Sequence, residues 1–439
     1  MFFKTRNSVK ILDVDLDLSA MPSMRLAKLI SIVGSGQLKK QMAPLEDERY
    51  AYHSLITMTL NQIPLVRMIQ PGCPTCASLL AAGLGIEHAD CEALRKLEDP
   101  LNQPFVSLDQ SITQLKPLLS LLESGLYVVA EGICMPTDGE GHFFWDIQNT
   151  WTESAATAGA FIRPDYEYVN GWPLYLYPSE TSACLNPERV THYEELFRTS
   201  AARPRAVVYH LNEFMNFILD GHHKACAAAR LRQPLDCLFI IPVSGIAYSR
   251  DSKRQPKQFY FSSIPVSADQ LPARFQAAFH PLRREEKAVK LQDLPAYPLN
   301  STSWDAAYRN SAQFYPTVVE AAEMAAAGLN WNRALDDKQL YAFLRMDVQD
   351  KELKTMALFN YLRCRRDPRL KALALTCLDD QSPKVLRKAA YQALRIFPED
   401  PEVEQRFIDY LVQCDDPHDE ILPLIHSFWD QQDSCRQLF

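Results

Sequence analysis

Glycine is scarce in this chain: 14 in 439 residues, against about 7% in ordinary soluble proteins. That shortage argues against glycine-rich loop machinery and toward helix. Gly34-Ser35-Gly36 is a bare Gly-x-Gly with no third glycine at the spacing of a dinucleotide fingerprint. No Walker loop or catalytic triad is present either. No uncharged apolar run reaches the roughly 18 residues of a membrane helix. The start, Met1-Phe2-Phe3-Lys4-Thr5-Arg6, lacks the apolar core of a signal peptide. These absences predict a cytoplasmic chain without a membrane partner. Positive charge is not in excess: 46 Lys and Arg stand against 54 Asp and Glu, a net −8. Nucleic acid is therefore not expected as a partner. The 11 cysteines are odd in number and scattered. In a cytosolic chain of this size they mean thiols or metal ligands rather than a disulfide frame.

The length predicts two to four domains, and 47% hydrophobic residues suffice for sizeable cores. The most informative stretch is Phe217-Ile218-Leu219-Asp220-Gly221-His222-His223-Lys224-Ala225-Cys226. An apolar run, then a polar cluster, then an alanine-rich segment reads as a strand entering a helix. Two His, a Lys and an Asp meet where a helix presents its free N–H groups, which suits phosphate. The competing readings are a purely structural turn before a solvated helix start and a metal site using His222 or His223. Upstream, Asn186-Pro187 reads as an N-cap followed by Pro at the first helical position. Pro204–His210 and Phe217–Leu219 read as hairpin strands, and Cys237–Pro242 as a strand buried on both faces.

The order helix, strand, turn, strand, Asp220-Gly221-His222-His223-Lys224, helix, strand resembles the ParB N-terminal/sulfiredoxin-like superfamily over about residues 172–243. That fold carries Gly-x-His-Arg or Gly-x-x-Arg at the same joint. Its members bind nucleotides there, and they include CTP-dependent partition proteins, ATP-dependent sulfinic acid reductases and free-amino-acid kinases. The resemblance implies that Gly221, His222, His223 and Lys224 hold the phosphates of a nucleoside triphosphate with magnesium. A carboxylate, Asp220 or Glu213, would orient the metal or act as base; Glu180 and Glu188 are further candidates. Three departures narrow this. His222 occupies the place of the reductase's nucleophilic Cys. Lys224 replaces the usual Arg and loses its bidentate fork. No helix-turn-helix pattern follows. Lys224→Ala is then expected to abolish nucleotide binding and leave the fold intact.

A second constellation is Cys73-Pro74-Thr75-Cys76. Set between a predicted strand (Leu65–Ile69) and a predicted helix (Ala77–Leu84), it resembles the thioredoxin/glutaredoxin active site. With His88 and Cys91 it offers two close ligand pairs of the kind tetrahedral zinc takes. Ordinary reduced thiols are the third reading. Elsewhere, Val9–Leu18 alternates like a strand with Asp13, Asp15 and Asp17 on its wet face. Met24–Ile32, Glu48–Asn61 and Leu118–Leu122 read as helices. Leu126–Ala130, the turn Thr137–Gly141 and His142–Asp146 read as a hairpin whose Phe143, Phe144 and Trp145 pack in a core or present an aromatic surface to a ligand or partner. A further hairpin, Gly245–Tyr248 with Gln258–Phe261, carries a loop with Arg250, Lys253, Arg254 and Lys257. Leu271–Phe279 and Ala312–Ala326 read as helices, with a linker at Pro281–Ser303. From Leu335 strand signals vanish, and Val385–Leu394 resembles a HEAT-type repeat. Arg363, Arg365, Arg366, Arg369 and Lys371 form a basic cluster read as a solvated helix face.

The expected fold class is α+β. Residues 1–150 would form a mixed domain, 151–285 the ParB/sulfiredoxin-like domain, 286–330 a linker and helix, and 331–439 a HEAT-like helical domain. The expected function is nucleotide (ATP or CTP) binding, with phosphoryl transfer to a small molecule or protein as the reaction. The alternative is a non-catalytic scaffold that binds a protein partner through its C-terminal helices.

Overall fold

Strands from both ends of the first 242 residues meet in one mixed sheet. The computed structural model describes residues 7–45, 53–143, 145, 151–162, 168–199, 203–249, 255–272, 275, 314–331, 333–344, 351–379 and 382–436. In chain order the elements are β1 (Ser8–Ile11), β2 (Met24–Val33), β3 (Leu38–Pro44), β4 (Ser54–Leu60), β5 (Ile63–Gln70), β6 (Ser78–Ala81), α1 (Glu92–Arg95), α2 (Glu98–Asn102), α3 (Leu108–Leu119), β7 (Gly125–Cys134), β8 (Thr152–Ser154), β9 (Ala160–Ile162), β10 (Tyr168–Asn170), β11 (Tyr175–Tyr177), α4 (Pro187–Thr199), β12 (Ala206–Asn212), β13 (Met215–Asp220), α5 (His222–Arg230), β14 (Leu235–Pro242), β15 (Gly245–Tyr248), β16 (Pro256–Phe261) and β17 (Ile264–Ser267). The large sheet runs β1-β2-β7-β14-β12-β13-β11. Its β12/β14 and β11/β13 pairs are parallel, the rest antiparallel. Leu238 to Ile241 of β14 are all fully buried, hence a continuous apolar run rather than alternation. Helix α5 packs on β12 and β14 and against α4; α3 packs on β2 and β7. A second sheet runs β3-β4-β5-β6-β8 and a third β15-β16-β17.

The chain divides into two compact units, Met1–Ser303 and Trp304–Phe439. With sheets and helices both present, the class is α+β. The second unit contains α6 (Val318–Ala326), α7 (Asp337–Leu344), α8 (Lys351–Cys364), α9 (Arg369–Thr376), α10 (Lys384–Leu394), α11 (Pro401–Gln413) and α12 (Leu422–Arg436). Thr317 and Glu320 form a capping box at α6, and Asp400 caps α11 with Pro401 as its first residue. Helix α8 packs against α6, α9 and α10, and α12 against α10 and α11. Phe407 stacks on Phe428 with centroids 4.3 Å apart.

Several sequence expectations need correction. Met24–Val33 is a strand, because it pairs on one side with β1 and on the other with β7. Ser54–Leu60 and Ser78–Ala81 are strands, not helices, held between neighbours in the second sheet. Tertiary pairing overrides helix propensity in Met24–Val33 and Ser78–Ala81, whereas Ser54–Leu60, with β-branched Ile56, Thr57 and Thr59, favours strand by itself. Of the first predicted strand only residues 9–11 are paired, within β1, and Asp13, Asp15 and Asp17 lie beyond it. The helix read at Leu118–Leu122 begins ten residues earlier, with Pro117 in its last turn. His142–Asp146 is not the partner of β7, which pairs with β2 and β14. A single bridge from Thr137 to Phe143 closes that turn, while Phe143 and Trp145 are buried as core. The boundary at residue 150 falls inside the large sheet, which takes strands from both sides of it. Arg250, Lys253, Arg254, most of Leu271–Phe279 and the linker Pro281–Ser303 lie outside the described residues.

The centre of the large sheet carries one charged cluster. The β2/β7 register shifts between Met24 and Leu26, so Arg25 sits in a bulge. A side chain on the facing Gly132 would come within 2.2 Å of the Ser23 carbonyl oxygen. Arg25 Nε donates to Glu131 Oε2 at 2.9 Å, and its Nη2 reaches both Glu131 and Asp236. Both carboxylates are buried. Arg25→Ala leaves them facing each other without that cation. We expect a loss of about 2–3 kcal/mol, below a fully buried pair because Arg25 is partly in water. Urea unfolding measures it; a loss under about 0.5 kcal/mol would contradict the arrangement.

Candidate functional site

The strand–helix joint at Asp220–Lys224 forms as the sequence predicts, but its basic side chains turn inward. Gly221 has φ 115° and caps α5 without a side-chain bond. A Cβ there would lie 2.7 Å from Ala206 Cβ, so only glycine fits. Lys224 is 1% exposed. Its Nζ donates to the Arg205 carbonyl at 3.0 Å and to Asp220 Oδ2 at 3.0 Å, and it lies over the Tyr193 ring. It ties the start of α5 back to β13 and to the residue before β12.

The two histidines tie the same helix to the segment 178–186. His222 Nε2 accepts the backbone N–H groups of Ser179 and Glu180 at 3.1 and 3.2 Å. The proton therefore sits on Nδ1, which faces Glu180 Oε2 at 3.3 Å. Burial first, then His223, pulls His222 down to about 3, so the ring is neutral at physiological pH. His223 Nε2 accepts the Asn186 N–H at 2.9 Å, and Asn186 Oδ1 caps α4. Trp145 stacks on His222 and meets His223 edge-on, and its indole N–H donates to the Glu180 carbonyl at 3.1 Å.

These ties hold Glu180 against a cavity of about 460 Å³ at the N-terminal end of α5. Asp220, Gly221 and the two histidines form one wall. Glu87, Cys91 and Arg95 come from the segment around α1, and Arg189 and Tyr193 from α4. Burial first, then the Glu87 charge, raises the Glu180 carboxyl to about 7. A carboxyl that titrates near neutrality inside a cavity can take or give a proton at working pH. Glu180 and Asp220 on the cavity wall are oxygen donors of the kind magnesium prefers. Arg95 and Arg189, with the α5 N-terminus, supply positive potential.

The other expected residues lie elsewhere. Glu213 sits in the β12–β13 turn at φ 43°, the far end of β13, about 20 Å from Asp220 at strand rise. It is a separate, half-buried group beside Lys40: burial raises it to about 7 and lowers Lys40 to about 8. Cys73 and Cys76 occupy a turn between β5 and β6, followed by a strand rather than a helix. That removes the helix N-terminus on which the thioredoxin-like reading rests. His88 and Cys91 flank a different turn, and Cys91 lines the α5 cavity. Among the described residues no three His, Cys, Asp or Glu side chains are placed to share a metal, so the zinc set is not brought together. Glu188 lies exposed in the first turn of α4.

Sequence reasoning missed Arg189, Tyr193, Glu87 and Arg95. Arg189 and Tyr193 are four apart on one face of α4, a phase visible only once that face is known to look at α5. Compared with protein-family models, curated proteins and solved structures, the chain matches none.

Two outcomes follow from this geometry. Lys224→Ala strips Asp220 and the Arg205 carbonyl of a buried partner and opens a void, so it should cost about 2–4 kcal/mol. Calorimetric unfolding checks it; an unchanged melting point would show that Lys224 is not part of the frame. Glu180 is raised in the folded chain above its unfolded value of 4.5. Its ionised form is disfavoured on folding, a penalty that grows as pH rises from about 4.5 through about 7. Glu180→Gln, a stand-in for the protonated acid, should therefore match wild type near pH 5 and melt higher than it at pH 8. A difference in melting point that does not vary with pH would contradict the burial argument.

Proposed function

We propose that this chain is a cytoplasmic nucleotide-binding protein of ParB N-terminal/sulfiredoxin-like type, taking ATP or CTP with magnesium in the α5 cavity. The observation that carries the reading is the left-handed Gly221 joint, where the N-terminus of α5 opens into a cavity that also receives Arg95 and Arg189. The element order α4, β12, β13, α5, β14, with β12 and β14 parallel, agrees with that type. The phosphates lie over the α5 N-terminus and toward Arg189. Asp220 and Glu180 would hold a magnesium ion there, and Glu180 would serve as base if a hydroxyl of a small molecule or protein accepted the phosphoryl group. His222, His223 and Lys224 act in this reading as the frame that shapes the joint, not as phosphate ligands.

A second reading rests on the helical unit. Its successive helices suit a HEAT-like array, and α11 leaves Ile408 and Val412 exposed four residues apart. They would meet a protein partner, with the first unit a degenerate relative of the nucleotide-binding type.

A thermal-shift series with ATP, CTP, GTP or UTP and magnesium separates the two. A nucleotide at 100 times its dissociation constant stabilises by about 2.7 kcal/mol. Wild type should shift with at least one of them. Arg189→Ala, which leaves the Lys224 frame untouched, should bind that nucleotide at least about tenfold more weakly. No shift with any nucleotide, or equal affinity in the variant, sinks the first reading and favours the second.

A further inference from the structure

The described cysteines include two neighbouring thiol pairs, and the structure treats them oppositely. Cys134 on β7 and Cys237 on β14 are neighbours but fully buried, with Cys237 Sγ donating to the Leu235 carbonyl. Burial pushes the Cys134 thiol far up, and no reagent reaches it without unfolding. Cys73 and Cys76 are both free and exposed. They close one tight turn, with the Cys76 N–H donating to the Cys73 carbonyl at 3.3 Å. A turn of this kind holds the first and fourth Cα atoms within about 7 Å, the span a disulfide bridges. The turn is anchored: the Pro74 carbonyl accepts the Ala160 N–H of β9 at 2.9 Å. Beneath it, a side chain on Gly159 would meet the Pro74 carbonyl oxygen at 3.2 Å.

The two sulfurs are not equivalent. Cys73 Sγ lies 3.3 Å from the Thr75 hydroxyl. That hydroxyl first, and the Cys76 thiol second, hold Cys73 down at about 7, while the contact with Cys73 raises Cys76. Cys73 is thus the attacking thiolate and Cys76 the resolving thiol.

We propose that Cys73 and Cys76 form a thiol–disulfide exchange site that reacts with low-molecular-weight disulfides, independently of the α5 cavity. The Cys73 thiolate attacks one sulfur of R–S–S–R, forming a mixed disulfide and releasing RS⁻. The deprotonated Cys76 then attacks Cys73 Sγ, closes the internal disulfide and expels the second RS⁻. The two thiol protons of the protein end on the two leaving thiolates. The protein pair is oxidised by two electrons and R–S–S–R is reduced to two RSH.

The test uses the folded full-length chain with oxidised glutathione at pH 7, followed by alkylation and peptide mass spectrometry. Wild type should lose two hydrogens within residues 73–76 and resist alkylation there, while Cys134 and Cys237 stay reduced. Cys76→Ser should stop at a stable glutathione adduct on Cys73. Cys73→Ser should react at least about tenfold more slowly, because its remaining thiol is little ionised at this pH. Both positions are exposed, so the variants leave the core untouched. Equal rates for the two variants, or adducts on both sulfurs of wild type without ring closure, would overturn the proposal.

Discussion

The contact on which the first unit depends is the buried Lys224 ammonium, held between the Asp220 carboxylate and the Arg205 carbonyl. A cation almost wholly removed from water is tolerable only when such partners are fixed in advance. Here the backbone fixes them. Gly221 in the left-handed region brings β13 round so that α5 starts against Ala206, and β12 and β13 pair antiparallel behind it. The same geometry places His222 against the backbone of Ser179 and Glu180 and His223 against that of Asn186. Three basic residues at a helix start thus serve as the pins of a joint.

The cavity follows from those pins. His222 fixes the backbone of Ser179 and Glu180, Trp145 fixes the Glu180 carbonyl, and the Ser179 hydroxyl bonds the Ile218 carbonyl. Gly83, Gly85 and Ile86 donate to the same segment, which draws in Glu87 from the other side. With its backbone fixed, the Glu180 carboxylate faces His222 Nδ1 at 3.3 Å, and burial, then the Glu87 charge, raises its proton affinity. No described helix is long and apolar enough to cross a membrane.

How much of this was legible in the sequence divides by mechanism. The run from Asn186 to Pro242 was readable because each element carries its own local marker: Asn-Pro at a cap, a fully apolar β14, a glycine at a sharp joint. The strands β2 and β6 were not. Their Met, Leu, Ala and Lys residues favour helix locally, and pairing makes them extended. In β4 the β-branched Ile56, Thr57 and Thr59 and the two-residue hairpin to β5 were a local signal that the helix reading missed. Residue type also identified the joint while concealing its role. His and Lys beside a helix start read as phosphate ligands unless burial is known, and burial is set by Trp145 and Tyr193, distant in sequence. Glu180 could not be ranked above Glu213 or Glu188 for the same reason: proximity to Asp220 is a property of the sheet order.

Cocrystallisation with magnesium and each of ATP and CTP tests the central claim most directly. The account predicts phosphate density over the N–H groups that open α5, beside Arg189, with the metal near Asp220 and Glu180. A nucleotide bound elsewhere in the chain, or a cavity left empty at saturating nucleotide, would contradict it.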